Sequence, residues 1–231
     1  MNSKLLETMR RRVLVFDGAM GTSCHAYDLP LSDYDGHENC VDILVKTRPD
    51  VISAIHRSFL EVGCDAVGTG TFGAGKLALG DFGLAEATRA LNRMGAQLAR
   101  KECDTFSTSQ KPRFALGSIG PGTRLPSLRQ TDWDTLLDSY TEQCRGLIDG
   151  GVDAFMVETC QDILQSKAAI VACMDAMAEL GVELPIFCTV TIETTGTMLV
   201  GTEMAAAIVA LETYDAVQVI GLNCATGPQE M

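Results

Sequence analysis

Gly150-Gly151-Val152-Asp153-Ala154-Phe155-Met156-Val157-Glu158-Thr159 is the stretch whose reading decides the fold. A glycine pair stops whatever precedes it, an apolar run follows, and polar groups end the run. Val152 to Val157 therefore reads as a short buried strand. Upstream, Asp132 to Ile148 has helical spacing and is closed by Gly150-Gly151; downstream, Ile163 to Leu180 does the same and is closed by Gly181. A strand between two helices is the unit of a parallel sheet, because parallel strands need crossover helices.

The same alternation extends in both directions. Strands are predicted at Val13 to Phe16, Asp65 to Val67, Phe114 to Leu116, Ile186 to Ile192 and Ala216 to Leu222. Helices are predicted from Pro49 to Gly63, with Pro suited to the first turn, from Leu84 to Lys101, and from Met204 to Leu211. An aspartate opens three of the strands, at Asp65-Ala66-Val67, Asp153-Ala154-Phe155 and Asp215-Ala216-Val217. No linker or low-complexity tract divides the 231 residues, so one domain spanning 1–231 is expected.

Six strand–helix units fit either an open doubly wound sheet or a (β/α)8 TIM-type barrel with about six of its eight units present. The residues at the strand C-termini favour the barrel. They are Asp17-Gly18, Thr69-Gly70-Thr71, Gly117-Ser118, Glu158-Thr159, Thr191 to Glu193 and Asn223-Cys224. A barrel gathers all of them at one mouth, where active sites of that fold lie; an open sheet would leave the outer ones far apart.

Bulk properties exclude some functions. With 18 basic against 30 acidic residues and a net charge of −12, the chain lacks the clustered basic surface that a nucleic acid requires. The first twelve residues are polar, and the apolar run after them is too short for a signal peptide or a membrane span. Nine cysteines with no Cys-x-x-Cys read as free thiols in a reducing, cytoplasmic compartment.

Among chemistry-bearing residues, Gly68-Thr69-Gly70-Thr71-Phe72-Gly73 matches G-x-G-x-x-G and offers a dinucleotide-binding reading. Against it, Gly75, Gly80 and Gly83 keep the backbone loose until Leu84, so no helix opens on the third glycine. Asp17 and Glu158 each end an apolar strand; they serve as turn residues, or as a carboxylate pair for an ammonium group or acid–base work. Cys224 leaves the last strand into a loop, placed as a packing residue, a nucleophile or one thiolate ligand of a metal. Cys64, Cys103, Cys144 and Cys173 fall on helices or their ends as packing residues, and His25, His37 and His56 show no metal spacing.

Several motifs together resemble the homocysteine S-methyltransferase family. Asp17-Gly18-Ala19-Met20-Gly21-Thr22 is similar to its opening motif, and Gly221-Leu222-Asn223-Cys224-Ala225-Thr226-Gly227-Pro228 to a later one. Between them stand Thr47-Arg48-Pro49-Asp50-Val51-Ile52, Gly63-Cys64-Asp65, Thr69-Gly70-Thr71-Phe72-Gly73, Gly120-Pro121 and Val157-Glu158-Thr159. The resemblance is strongest to the amino-terminal module of the cobalamin-dependent members.

It implies a zinc-binding barrel that activates homocysteine as a thiolate for methyl transfer to give methionine. It implies Cys224 as the first of three zinc cysteines, the other two forming a pair expected beyond residue 231, where the domain would be completed. Asp17, Gly18, Thr69 and Glu158 would contact the amino-acid part of homocysteine. Methylcobalamin would arrive on a separate domain of a longer chain that also carries a folate-binding domain, although betaine and S-methylmethionine serve other relatives. Taken alone, the segment would be inactive, and an inactive ligand- or partner-binding fragment is the competing reading. One departure is notable: the family usually has Glu and Asn or Asp where this chain has Gly68 and Gly70.

Overall fold

In the computed structural model, residues 3–227 and 229 are described. The helices in chain order are α1 (Lys4–Met9), α2 (Met20–His25), α3 (Leu44–Thr47), α4 (Pro49–Glu61), α5 (Lys76–Gly80), α6 (Thr88–Phe106), α7 (Trp133–Gly150), α8 (Ile163–Leu180) and α9 (Met204–Leu211). The strands are β1 (Ala66–Gly68), β2 (Phe114–Ile119), β3 (Ala154–Cys160), β4 (Ile186–Val190) and β5 (Val217–Leu222). They form one parallel sheet in sequential order, with Ala66 opposite Phe114, Leu116 opposite Ala154, Phe155 opposite Ile186 and Val190 opposite Leu222.

The helix boundaries have local causes. Asp132 caps α7 by accepting the Thr135 N–H at 2.8 Å, and Asp162 caps α8 by accepting the Leu164 N–H at 2.9 Å. Gly151 and Gly181, both at positive φ, end these two helices as expected.

Strands alternate faces with a period of two. One face, including Ala115, Phe155, Val157, Ile186, Cys188 and Val190, is buried. Phe155, Val157, Ile186, Cys188 and Val190 share a core with Leu147 of α7 and Ile170 of α8; Ala115 packs with Leu60, Ala99 and Cys103. The other face carries Ala66, Phe114, Leu116, Ala154 and Phe187, and Leu5 and Leu6 of α1 pack against it. Burial on both faces explains why these strands read as continuous apolar runs.

Two expectations need correction. The strand predicted at Val13 to Phe16 reduces to a single parallel bridge, Phe16 with Ala66. The Asp65 carboxylate accepts the Val15 N–H at 2.9 Å, in place of a ladder carbonyl, and the Val13 and Val15 side chains are 86% and 60% exposed. The sheet proper therefore has five strands, with the Phe16 segment alongside β1. Second, the backbone after Gly75 is not loose until Leu84. Helix α5 forms because Ala78 and Leu79 bury their side chains, which outweighs the helix-breaking tendency of Gly80. A 3₁₀ turn at Ala85–Ala87 then precedes α6, so the helix predicted from Leu84 to Lys101 runs instead from Thr88 to Phe106. Among the described residues, no helix is long and apolar enough to cross a membrane.

Candidate functional site

The face of the sheet that carries Phe114, Leu116, Ala154 and Phe187 becomes polar at the strands' C-terminal ends. Counting by two along each strand leads from Leu116 to Ser118, from Met156 to Glu158 and from Phe187 to Thr189. Asp17 follows Phe16 at the same end, held by its N–H to the Ala66 carbonyl at 3.1 Å and by the Gly68 N–H, which donates to Asp17 Oδ2 at 3.0 Å.

The structure brings Asp17 and Glu158 into electrostatic contact. Burial pushes the Asp17 carboxyl up to about 7; the Gly68 hydrogen bond opposes this, and the nearby Glu158 charge adds to it. Burial also raises Glu158, against the Ser118 hydroxyl, which donates to Glu158 Oε1 at 2.6 Å and favours the carboxylate. No cation among the described residues pairs with either group. Two recessed carboxylates without a counter-charge are electrostatically unfinished, and an incoming ammonium group would complete them.

Thr69 stands behind this pair. Its side chain is fully buried, its hydroxyl oxygen accepts the Ser118 N–H at 3.0 Å, and it lies 2.6 Å from Thr71 Oγ1. Gly18 is exposed beside Asp17, with the Phe59 ring next to its α-carbon.

Cys224 lies at the end of β5, and it is the exposed cysteine among nine free thiols; the other eight, including Cys24 and Cys160, are buried. Asn223 ties this corner together. Its Oδ1 accepts the Thr159 N–H at 2.9 Å and the Thr189 hydroxyl at 2.8 Å. Its Nδ2 donates to Thr159 Oγ1 at 2.8 Å and approaches Cys224 Sγ at 3.3 Å. Thr159 adopts φ 61°, a left-handed conformation that a β-branched residue rarely takes, beside an irregularity in β3 between Val157 and Cys160. The sulfur of a soft metal ligand, held by an amide donor, is chemically suited to zinc. Among the described residues, however, no three His, Cys, Asp or Glu side chains are grouped to hold a metal, and Cys224 offers a single exposed thiol.

The glycine loop is not arranged as a phosphate cradle. The Gly68 N–H is engaged by Asp17, the Thr69 N–H by the Leu116 carbonyl and the Gly73 N–H by Asp42 Oδ1 at 2.8 Å. A pyrophosphate would meet carboxylates where it needs free donors. His56 is fully buried, with burial lowering it to about 4, and has no metal-ligand geometry.

In the sequence, Ser118 and Asn223 stand out only as strand-end residues. The alternation from Phe114 and Leu116 was the available signal for Ser118. The strained backbone of Thr159 had no signal in the sequence.

The parallel sheet with flanking helices, and reactive groups collected at its strand C-termini, define an α/β protein of the kind that builds enzyme sites from strand–helix loops. Residues 14–231 match the family model described as homocysteine S-methyltransferase. The chain is 49% identical over 230 residues to the methionine synthases of Mycobacterium tuberculosis and Mycobacterium leprae, covering 100% of this chain and 19% of each relative. It therefore belongs to the homocysteine S-methyltransferase family, and spans about a fifth of the length of these curated relatives. Its fold is similar to that of the homocysteine methyltransferase MmuM from Escherichia coli. The metallated form gives a TM-score of 0.76 at 20% identity, covering 95% of this chain and 77% of that one. The oxidized form gives 0.77 at 21%, covering 96% and 77%.

Proposed function

We propose that this chain is the homocysteine-binding module of a zinc-dependent methyltransferase that forms methionine, built as a (β/α)8 barrel to which the five strands and the Phe16 segment contribute. The observation that carries the reading is the Asp17–Glu158 pair: two recessed carboxylates at the sheet's C-terminal end with no cation partner among the described residues. They receive the ammonium group of homocysteine, with Gly18 beside them and Thr69 backing the pocket through Ser118. Anchoring that end leaves the two-methylene thiol arm free to reach the Cys224 side of the site.

Cys224 supplies one thiolate to zinc. The remaining ligands are not grouped with it among the described residues. Zinc on the substrate sulfur supplies a thiolate at neutral pH, where a free thiol of pKa near 8.5 is mostly protonated. The sequence resemblance to the cobalamin-dependent members favours methylcobalamin, carried on another domain, as methyl donor, and a folate-binding domain as a further neighbour; the greater length of the methionine synthases leaves room for both. Eight buried, free thiols suit a reducing cytoplasm.

The test is calorimetric titration of the zinc-loaded holoenzyme with homocysteine and with 4-mercaptobutanoate, which lacks only the amino group. Homocysteine is expected to bind at least about ten-fold tighter, the worth of a charge-assisted hydrogen bond. Equal affinities would overturn the assignment of Asp17 and Glu158 to the ammonium group.

A further inference from the structure

Glu158 can serve as an ammonium anchor only if its carboxylate is held in one place, and the structure contains a closed device for that. Ser118 is buried near the end of β2, with Met156 of β3 opposite it in register. Its backbone is clamped on both sides. Its N–H donates to Thr69 Oγ1 at 3.0 Å, and its carbonyl accepts the Thr71 hydroxyl at 2.9 Å. Gln143 of α7 donates to the Thr71 carbonyl at 2.9 Å and reaches the Ser118 carbonyl at 3.4 Å.

Proton counting orients this ring. A threonine hydroxyl has one proton. That of Thr71 goes to the Ser118 carbonyl, so in the 2.6 Å contact between the two threonines Thr69 is the donor. Thr69 thus spends its proton on Thr71 and one lone pair on the Ser118 N–H. Fully buried, it faces the site through Ser118 and not directly. The Ser118 hydroxyl is the one donor of the ring that leaves it, and it goes to Glu158 Oε1 at 2.6 Å. Glu158 Oε2 is left without a protein donor among the described hydrogen bonds.

We propose that Ser118 is a positioning residue for substrate: backed by the Thr69–Thr71 ring, its hydroxyl fixes the Glu158 carboxylate so that one oxygen is satisfied by protein and the other is reserved for the substrate ammonium. The proposal rests on the reading of Glu158 as the ammonium anchor, and deepens it. It also assigns the buried threonines a role, since a carboxylate on a free rotamer would lose binding energy to its own ordering.

The experiment compares Ser118→Thr, which keeps the hydroxyl, with Ser118→Val, which matches threonine in shape and lacks it. Both are made in the zinc-loaded holoenzyme, alone and combined with Glu158→Gln. Ser118→Val is expected to weaken homocysteine binding about ten-fold relative to Ser118→Thr, with kcat held within about two-fold. Affinity for 4-mercaptobutanoate should be the same in the two variants, a result that a merely structural role would not give. In the Glu158→Gln background the Val-to-Thr difference should shrink to less than about two-fold, because the two residues act as one unit. Equal loss for both ligands, or a Glu158→Gln enzyme that binds homocysteine weakly while Ser118→Val does not, would overturn the proposal. If Glu158→Gln itself leaves homocysteine affinity unchanged, the ammonium reading fails first, and the proposal fails with it.

Discussion

The two ends of the sheet use carboxylates to opposite effect. At the N-terminal end, Asp65 and Asp153 are clamps. Each donates its own N–H to the carbonyl of a residue in the preceding extended segment, Val15 or Ala115, and accepts that residue's N–H on its carboxylate, at 2.9 and 2.7 Å. Each is also matched by arginine. Arg12 grips Asp65 through two 2.7 Å bonds with Arg113 at 4.0 Å, and Arg100 pairs with Asp153. The Arg12 hydrogen bond holds the Asp65 carboxyl below its usual range; burial raises Asp153 while Arg100 opposes it. At the C-terminal end, Asp17 and Glu158 have no such partner among the described residues, and both are raised. Arginine-paired carboxylates tie neighbouring segments together, whereas the pair without a counter-charge is the one assigned above to a ligand; the neighbours, more than the residue, set the difference.

The largest effect is expected at Asp65. Asp65→Ala would strand Arg12, Arg113 and the Val15 N–H at once. It is expected to cost about 2–3 kcal/mol in urea denaturation, the low side for a broken buried pair because Arg12 is partly exposed. A loss under about 0.5 kcal/mol would mean that the N-terminal clamp is decorative.

At the other end the effect should fall on binding. Glu158→Gln in the holoenzyme is expected to weaken homocysteine roughly ten- to a hundred-fold with little change in turnover of bound substrate, because the ammonium group is remote from the reacting sulfur. Unchanged affinity with collapsed turnover would place Glu158 in the chemistry instead.

Asp17 sharpens the contrast through pH. Its carboxyl is raised from an ordinary 3.8 to about 7, so ionising it costs the folded state more than the unfolded one. Below pH 4 both states are protonated and there is no penalty; the penalty grows as pH rises from about 4 to about 7 and is complete above that. Asp17→Asn should therefore be more stable than the parent at pH 8, by about 1–2 kcal/mol after solvent screening, and should lose that advantage by pH 4. It should bind homocysteine less well at pH 8, where the parent carboxyl is ionised. Thermal melts at the two pH values check the sign; a variant less stable at pH 8 would show that Asp17 is structural, like Asp65.

The smallest expected effect separates two glycines, Gly68 at the end of β1 and Gly70 just past it. Gly70 sits at φ +65°, so Gly70→Ala should cost about 1 kcal/mol through backbone strain alone. Gly68 is not in that region, and an added Cβ would meet only Asp17 Oδ1 at 4.0 Å, so Gly68→Ala should stay within about 0.5 kcal/mol of the parent. Equal costs would point to a crowded site and not a strained one.

Much of this architecture is legible in the chain. Helix ends at Gly151 and Gly181, the apolar runs of β2 to β5, and the gathering of Asp17, Glu158 and Cys224 at one end of a parallel sheet follow from local rules of spacing, capping and alternation. These are properties of neighbouring residues, and neighbours are what a sequence records. Whether Asp17 or Asp65 carries an unmatched charge is not such a property. Both adjoin an apolar strand, and only the folded chain sets Arg12 against Asp65, 53 residues away, and, among the described residues, no cation against Asp17. The direction of the Ser118 hydroxyl, the left-handed turn of Thr159 and the amide of Asn223 beside the Cys224 sulfur were likewise decided in three dimensions. Hydrogen bonds and desolvation act over a few ångströms of space, and residues as distant as 118 and 158 become neighbours only when β2 and β3 pair.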